Sequence, residues 1–164
     1  MDSSITFRPV RILGVVEDRD ALLKHYEEMR EDLFSAINGL SDELMTETSL
    51  DGWSVKDHLA HLVLWDDVRA SEVVRISAGH NSAWRMTHDQ DEAYNEVAHA
   101  LRLALPLDQV RWELATSRQR LLDAISSATP RGLDPSLYGE AGLRSSHEAV
   151  HTGWIKRWRG ERGV

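Results

Sequence analysis

His147 and His151 are the residues whose types and spacing most directly indicate metal chemistry in this sequence. Histidines four residues apart lie one above the other on the same face of an α-helix, close enough to share one metal ion. Imidazole nitrogen is a common ligand of zinc, copper, iron and nickel. A third ligand is needed to complete such a site, and His61 is the best upstream candidate. The sequence therefore predicts a metal site in which two helices contribute three histidines.

Glu148 completes the pattern H-E-x-x-H, in which zinc metalloproteases use the glutamate as a general base. The extended form of that motif needs a further histidine at position 157, but the residue there is Arg157. Ser145 offers another explanation, because a serine followed three residues later by a glutamate forms a capping box at a helix start. We favour the cap for Glu148 and keep the catalytic base as the alternative.

The composition sets limits on the class of protein. A chain of 164 residues, 41% hydrophobic and 28% charged, is typical of one globular domain. Because it contains no cysteine, any metal must be held by histidine or carboxylate. A net charge of −8 argues against nucleic-acid binding. The sequence has neither an apolar run of about 20 residues nor a signal peptide, so we expect a cytoplasmic protein without a membrane partner.

Apolar residues at intervals of three and four predict a helical protein without strands. Ser54 and Asp57 mark the start of the second helix with a capping pattern. Trp53 is placed to pack on His58, which predicts a structural role for His58 and not metal binding. Four substantial helices are predicted near residues 18–39, 55–76, 106–127 and 146–159, with a shorter helix near 91–103.

These helices predict an all-α fold, a four-helix bundle. The connection 77–105 is too long for a tight antiparallel turn, so we expect a crossover between helices two and three. Residues 1–16 are predicted to form an extended arm that packs on the body or on a second subunit, and residues 17–164 form the bundle. The irregular segment 131–144 is expected to serve as a rim or lid of a functional site.

Two motifs resemble those of a known family. Residues 51–62 resemble the helix-two motif of the DinB/YfiT-like superfamily, and His147 with His151 resembles its helix-four pair. The resemblance extends from about residue 18 to the end of the chain. Trp65 and the terminal Trp158 most resemble the branch that contains the colibactin self-protection protein.

The resemblance implies an up-down-down-up bundle with a crossover between helices two and three. It also implies a divalent metal, nickel or zinc, held by His61, His147 and His151, and a homodimer. Activities in the superfamily include hydrolysis and thiol-dependent transfer or isomerisation, so a low-molecular-weight thiol is a candidate cofactor. The chain departs from the plainer family pattern by its N-terminal arm and by Glu148.

The leading hypothesis is a metal-dependent enzyme that acts on a small-molecule substrate by hydrolysis or thiol transfer. Three histidines leave a coordination position open, as in catalytic zinc sites, where the pKa of bound water falls to about 7. Trp65 and Trp154 are expected to line the substrate pocket, with polar contacts from Tyr138 and Arg144. The alternatives are a metal-free protective protein that binds or hydrolyses a reactive electrophile, and a non-catalytic stress-response module with structural histidines.

Overall fold

The structure is a computed structural model that describes residues 15–164, and this part of the chain is helical, as predicted. Most of the predicted N-terminal arm lies outside the described residues. Within them, no helix combines the length and the apolar character needed to cross a membrane. The helices are α1 (Arg19–Ile37), α2 (Asp42–Thr46), α3 (Val55–Ser77), α4 (His88–Arg102), α5 (Leu107–Ser126) and α6 (His147–Arg162), with a 3-10 turn at Pro135–Leu137.

The start of α3 is capped as the sequence predicts. Ser54 Oγ accepts a hydrogen bond from the Asp57 amide at 3.1 Å, and Asp57 Oδ2 accepts one from the Ser54 amide at 2.8 Å. At α6 the predicted capping box is wrong. Ser146 is the N-cap residue and makes no side-chain cap hydrogen bond, while Ser145 Oγ accepts from the amide of His147. The Glu148 side chain lies in the interior of the bundle.

Hydrogen bonds at both ends show that α3 and α5 run parallel. Lys56, at the start of α3, donates to the carbonyl groups of Leu103 and Leu105, just before α5 begins. Ser77, at the end of α3, contacts Thr129, just after α5 ends. A parallel neighbour requires a crossover, and α4 packs on α3 within that connection.

The directions of α1 and α6 complete the up-down-down-up arrangement. Arg19, at the start of α1, donates to the carbonyl group of Ala128, beyond the end of α5, so α1 and α5 are antiparallel. Arg159, near the end of α6, donates to the carbonyl groups of Ala36 and Asn38 at the end of α1. Helices α1 and α6 are therefore parallel.

Most of the apolar core lies in two large clusters, and a third, small cluster contains Trp65, Val68 and Ala141. One large cluster contains Leu33 of α1 and Leu114 of α5, and the other contains Leu22 and Leu121 of the same helices. Arg118 lies between the two leucines along α5 and is 5% exposed. The apolar core is therefore divided by a charged layer.

Each of the four long helices contributes one residue to this charged layer. Arg30 of α1 donates to Glu148 of α6 at 2.9 Å and to Asp66 of α3 at 2.9 Å. Arg118 of α5 donates to Asp66 at 3.0 Å and also to Glu148. All four side chains are buried, so their charges are neutralised by one another rather than by water.

Candidate metal centre

Three histidines converge where α3 faces α6. His147 Nε2 lies 3.0 Å from His61 Nε2 and 3.0 Å from His151 Nε2. The ring centres of His61 and His151 are 4.9 Å apart, and one ring nitrogen from each of the three residues lies within 4.8 Å of the others. The structure thus brings together the three residues that the sequence suggested.

The spacing of His147 Nε2 from its two neighbouring ring nitrogens fits a shared metal ion. Two nitrogens bound to one zinc at about 2.0–2.1 Å are about 2.9–3.4 Å apart when the angle between the bonds is roughly 90–110°. The two Nε2–Nε2 distances of 3.0 Å fall in that range. Hydrogen bonds alone satisfy the cluster poorly, because His147 Nε2 carries either one proton or one lone pair but has two close ring nitrogens as neighbours.

The protein keeps these imidazoles neutral at physiological pH. Burial and the neighbouring His147 together lower the pKa of His61 to about 3. Burial and the nearby Arg69 charge lower the pKa of His147 to about 4. For His151, burial and the adjacent histidines give a pKa of about 2. A metal ion therefore meets available lone pairs and does not have to displace protons near pH 7.

His58 adds a fourth histidine beside the cluster. Its ring packs on Trp53, 5.1 Å between ring centres, which is the contact that the sequence predicted. Its Nδ1 also lies 2.8 Å from Nδ1 of His151, a hydrogen bond that the sequence analysis missed. Burial lowers the pKa of His58 to about 4. The His58 side chain thus contacts His151, a candidate ligand, but contributes none of the three converging nitrogens.

Two adjoining cavities open beside the histidines. The larger, about 400 Å³, has an aromatic wall made by Trp53 and Trp154. The smaller, about 150 Å³, is lined by Trp65, among others. Asn95 and His147 line both cavities, so together they form one cleft around the candidate metal centre.

Two of the four predicted pocket residues line this cleft and two do not. Trp154 lines the larger cavity and Trp65 the smaller one. Tyr138 is buried in the core, where its hydroxyl donates to the Gly132 carbonyl group at 2.6 Å. Arg144 lines neither cavity and pairs with Glu17. The segment 131–144 therefore brings Glu140, but not Tyr138 or Arg144, to the cleft.

The charges that line the cleft are mostly negative. Asp51 lines the larger cavity, and Asp91 and Glu140 line the smaller. Burial raises the pKa of Asp91, whose Oδ1 has no hydrogen-bond partner among the described residues. The one cationic lining residue of these two cavities is Arg69, and its Nε donates to the carbonyl groups of residues 141 and 142. The cleft thus suits a neutral or cationic ligand better than an anion.

Glu148 faces the charged layer of the bundle. Its Oε1 accepts from Arg30, and its Oε2 accepts from both Arg30 and Arg118. Both carboxylate oxygens are therefore occupied by guanidinium groups, and the side chain is only 4% exposed. A signal for this network was present in the sequence, because Arg30 stands between Tyr26 and Leu33 on the apolar stripe of α1.

Comparisons with known proteins agree with the fold. The sequence profile of the DinB superfamily matches residues 25–155. An uncharacterised protein of known crystal structure from Escherichia coli UTI89 is similar at 17% identity, with a TM-score of 0.73, covering 89% of this chain and 95% of the other. No curated protein matches the chain. The finer placement in the colibactin branch, the homodimer and the thiol cofactor stay predictions.

Proposed function

This chain belongs to the DinB superfamily, and from that premise we propose that it is a divalent-metal-dependent enzyme that hydrolyses a small molecule. The observation that carries the proposal is the convergence of Nε2 atoms from His61, His147 and His151 at ligand spacing. Nickel and zinc both accept imidazole ligands, so either ion suits this donor set.

When bound, such an ion would polarise a substrate carbonyl and make water nucleophilic near neutral pH. The residues of the chain supply the rest of the site. Trp53 and Trp154 form an aromatic wall that excludes water from one side of a bound substrate. The chain contains no cysteine, so a cysteine nucleophile is excluded.

Asn95 is well placed to orient a substrate. Trp65 Nε1, which can only donate, forms a 3.0 Å hydrogen bond to Asn95 Oδ1. The Asn95 amide nitrogen is therefore the end of the side chain that remains free to donate to a substrate oxygen. Since Asn95 lines both cavities, such a donor would act at the junction beside His147.

The charge of the cleft supports hydrolysis over transfer to an anionic thiol. Glutathione, for example, carries carboxylates that need cationic or amide partners. The guanidinium of Arg69 is already engaged by backbone carbonyl groups and lies near Asp66. We therefore propose a neutral or cationic substrate, with the cationic part toward Asp91 and Glu140.

Metal analysis of protein purified without a histidine tag tests the proposal. We expect one equivalent of zinc or nickel per chain and hydrolysis of neutral or cationic esters or amides by the loaded protein. His147→Ala should abolish metal binding and hydrolysis, because it removes the Nε2 atom that contacts both His61 and His151. His88→Ala is the matched control, since His88 is exposed at the start of α4. Failure of the wild-type protein to bind either ion would overturn the proposal and favour a metal-free protective protein.

A further inference from the structure

We infer that His58 is a positioning residue of this centre, which holds the His151 ring in the tautomer that leaves Nε2 free to bind an ion. The inference rests on the proposed metal site and concerns a residue outside the three candidate ligands. Its geometric basis is the 2.8 Å contact between Nδ1 of His58 and Nδ1 of His151.

Only one proton can lie on the line between these two nitrogens. An ion at Nε2 of His151 needs the lone pair of that nitrogen, so a neutral His151 ring must carry its proton on Nδ1. That proton is then donated to His58, whose Nδ1 must be unprotonated. The opposite arrangement, with His58 as donor, would place the proton of a neutral His151 on Nε2 and block metal binding there.

Within the described residues, His151 is the one side-chain hydrogen-bond partner of the His58 ring. The Leu50 backbone is near enough to raise the pKa of the His58 ring, but Nε2 forms no hydrogen bond of normal geometry with any described residue. The ring is 5% exposed and lies between Trp53 and Trp154 at the wall of the larger cavity.

Of the three candidate ligands, His151 is the one whose Nδ1 has a hydrogen-bond partner among the described residues. Among residues 15–164, neither His61 nor His147 has a hydrogen-bond partner at Nδ1. His58 is therefore the one outer partner that the described part of the chain supplies to the three rings. Partners of this kind fix ring orientation and raise ligand basicity, and their loss typically costs about 10–100-fold in metal affinity.

Two substitutions separate hydrogen bonding from ring packing. His58→Leu fills much of the same space but has no acceptor, and it should weaken zinc binding by about 10–100-fold. In His58→Asn, the side-chain oxygen lies near the position of Nδ1 and can accept the same proton, so zinc affinity should return close to that of the wild type. Affinity is measured by competition with a chromophoric chelator, and thermal melts of the metal-free variants check folding.

The outcomes distinguish this inference from the proposed function. A wild-type protein that binds no ion would overturn both. A wild type that binds zinc, with His58→Leu binding equally well, would overturn the role of His58 alone. Equal weakening in His58→Leu and His58→Asn would show that the ring acts by packing and would also overturn it.

A measurement on the wild-type protein keeps the test independent of variant folding. Nitrogen-15 NMR of the zinc-loaded protein reports which nitrogen of each histidine ring carries a proton. We expect His58 to be protonated at Nε2 and bare at Nδ1. A proton on Nδ1 of His58 in the loaded protein would contradict the inference.

Discussion

Glu148 follows His147 by one residue, which is a rotation of about 100° around an α-helix. His147 and His151 share one face, and Glu148 turns away from it into the charged layer with Arg30 and Arg118. The H-E-x-x-H letters therefore describe two different surfaces of α6. The sequence could suggest the candidate metal-binding face from the four-residue spacing. It could not show what lies opposite Glu148, because that depends on residues of α1 and α5.

Glu148→Gln should destabilise the protein without removing the metal ligands. The change removes one of two carboxylates that neutralise Arg30 and Arg118, and loss of one partner of a buried ion network typically costs about 3–5 kcal/mol. We expect a lower thermal midpoint with metal binding retained in the folded protein. The control is Glu161→Gln, an exposed position on the same helix, which should change the midpoint little. An unchanged midpoint combined with lost turnover would instead favour Glu148 as a catalytic base.

Among the elements, α3 and α4 show where sequence patterns succeed and fail. For α3, the capping residues and an apolar face together predict the start at Val55. For α4, the structure begins at His88 rather than near 91. A capping box sets that start, because Thr87 Oγ1 accepts from the Gln90 amide and Gln90 Oε1 accepts from the Thr87 amide. Further along the helix, Val97 and Leu101 point to solvent, while polar Asn95 lies on the inner side beside the cleft. A pattern that assumes apolar residues face inward cannot identify such a helix as part of a site.

The cleft is lined by helices that are distant in sequence, which explains why only some of its lining residues could be predicted. The two candidate ligand helices are antiparallel, so His58 lies opposite His151 and His61 opposite His147. Periodicity places each histidine on its helix, but only the packing of α4 brings Asn95 to the centre.

Ser54→Ala tests the cap that positions α3. The substitution removes the acceptor for the Asp57 amide, and loss of an N-cap typically costs about 0.5–2 kcal/mol. We expect a lower free energy of unfolding, measured by urea titration. Ser146→Ala is a matched control, because Ser146 is the N-cap of α6 but makes no side-chain cap bond. Similar losses in both variants would show that the Ser54 hydrogen bonds contribute no special stability.

At the scale of the whole molecule, the buried histidines of the candidate site lower the stability of the bundle at acidic pH. Four histidine rings are held close together, and burial keeps their pKa values low although the charges of Asp51, Asp57 and Asp66 oppose that effect at His58 and His147. The charged layer beneath them joins all four long helices and neutralises its own charges. Two polar layers thus lie in one small core, a charged layer whose ions pair with one another and a layer of uncharged histidines.

The stability of the metal-free protein should therefore fall as the pH is lowered from about 7 to 4. The folded-state pKa values of His58, His61, His147 and His151 are about 4, 3, 4 and 2, whereas unfolded histidine titrates near pH 6.5. Between those values the unfolded chain binds protons that the folded chain does not, so stability is complete above about pH 6.5 and is lost as the pH falls. Thermal melts after removal of metal by a chelator should show a falling midpoint, by about 2–4 °C for each kcal/mol lost.

Zinc should raise the midpoint over the same range, because an ion that binds only the folded state adds its binding free energy to stability. The increase should persist down to about pH 5, since the ligand pKa values lie well below that point and protons do not yet compete for the nitrogens. His147→Ala should reduce both the zinc effect and the slope of the midpoint against pH, whereas His88→Ala should leave both unchanged. A metal-free midpoint that is the same at pH 7.5 and pH 4.5 would show that the histidines are not held neutral as the structure requires.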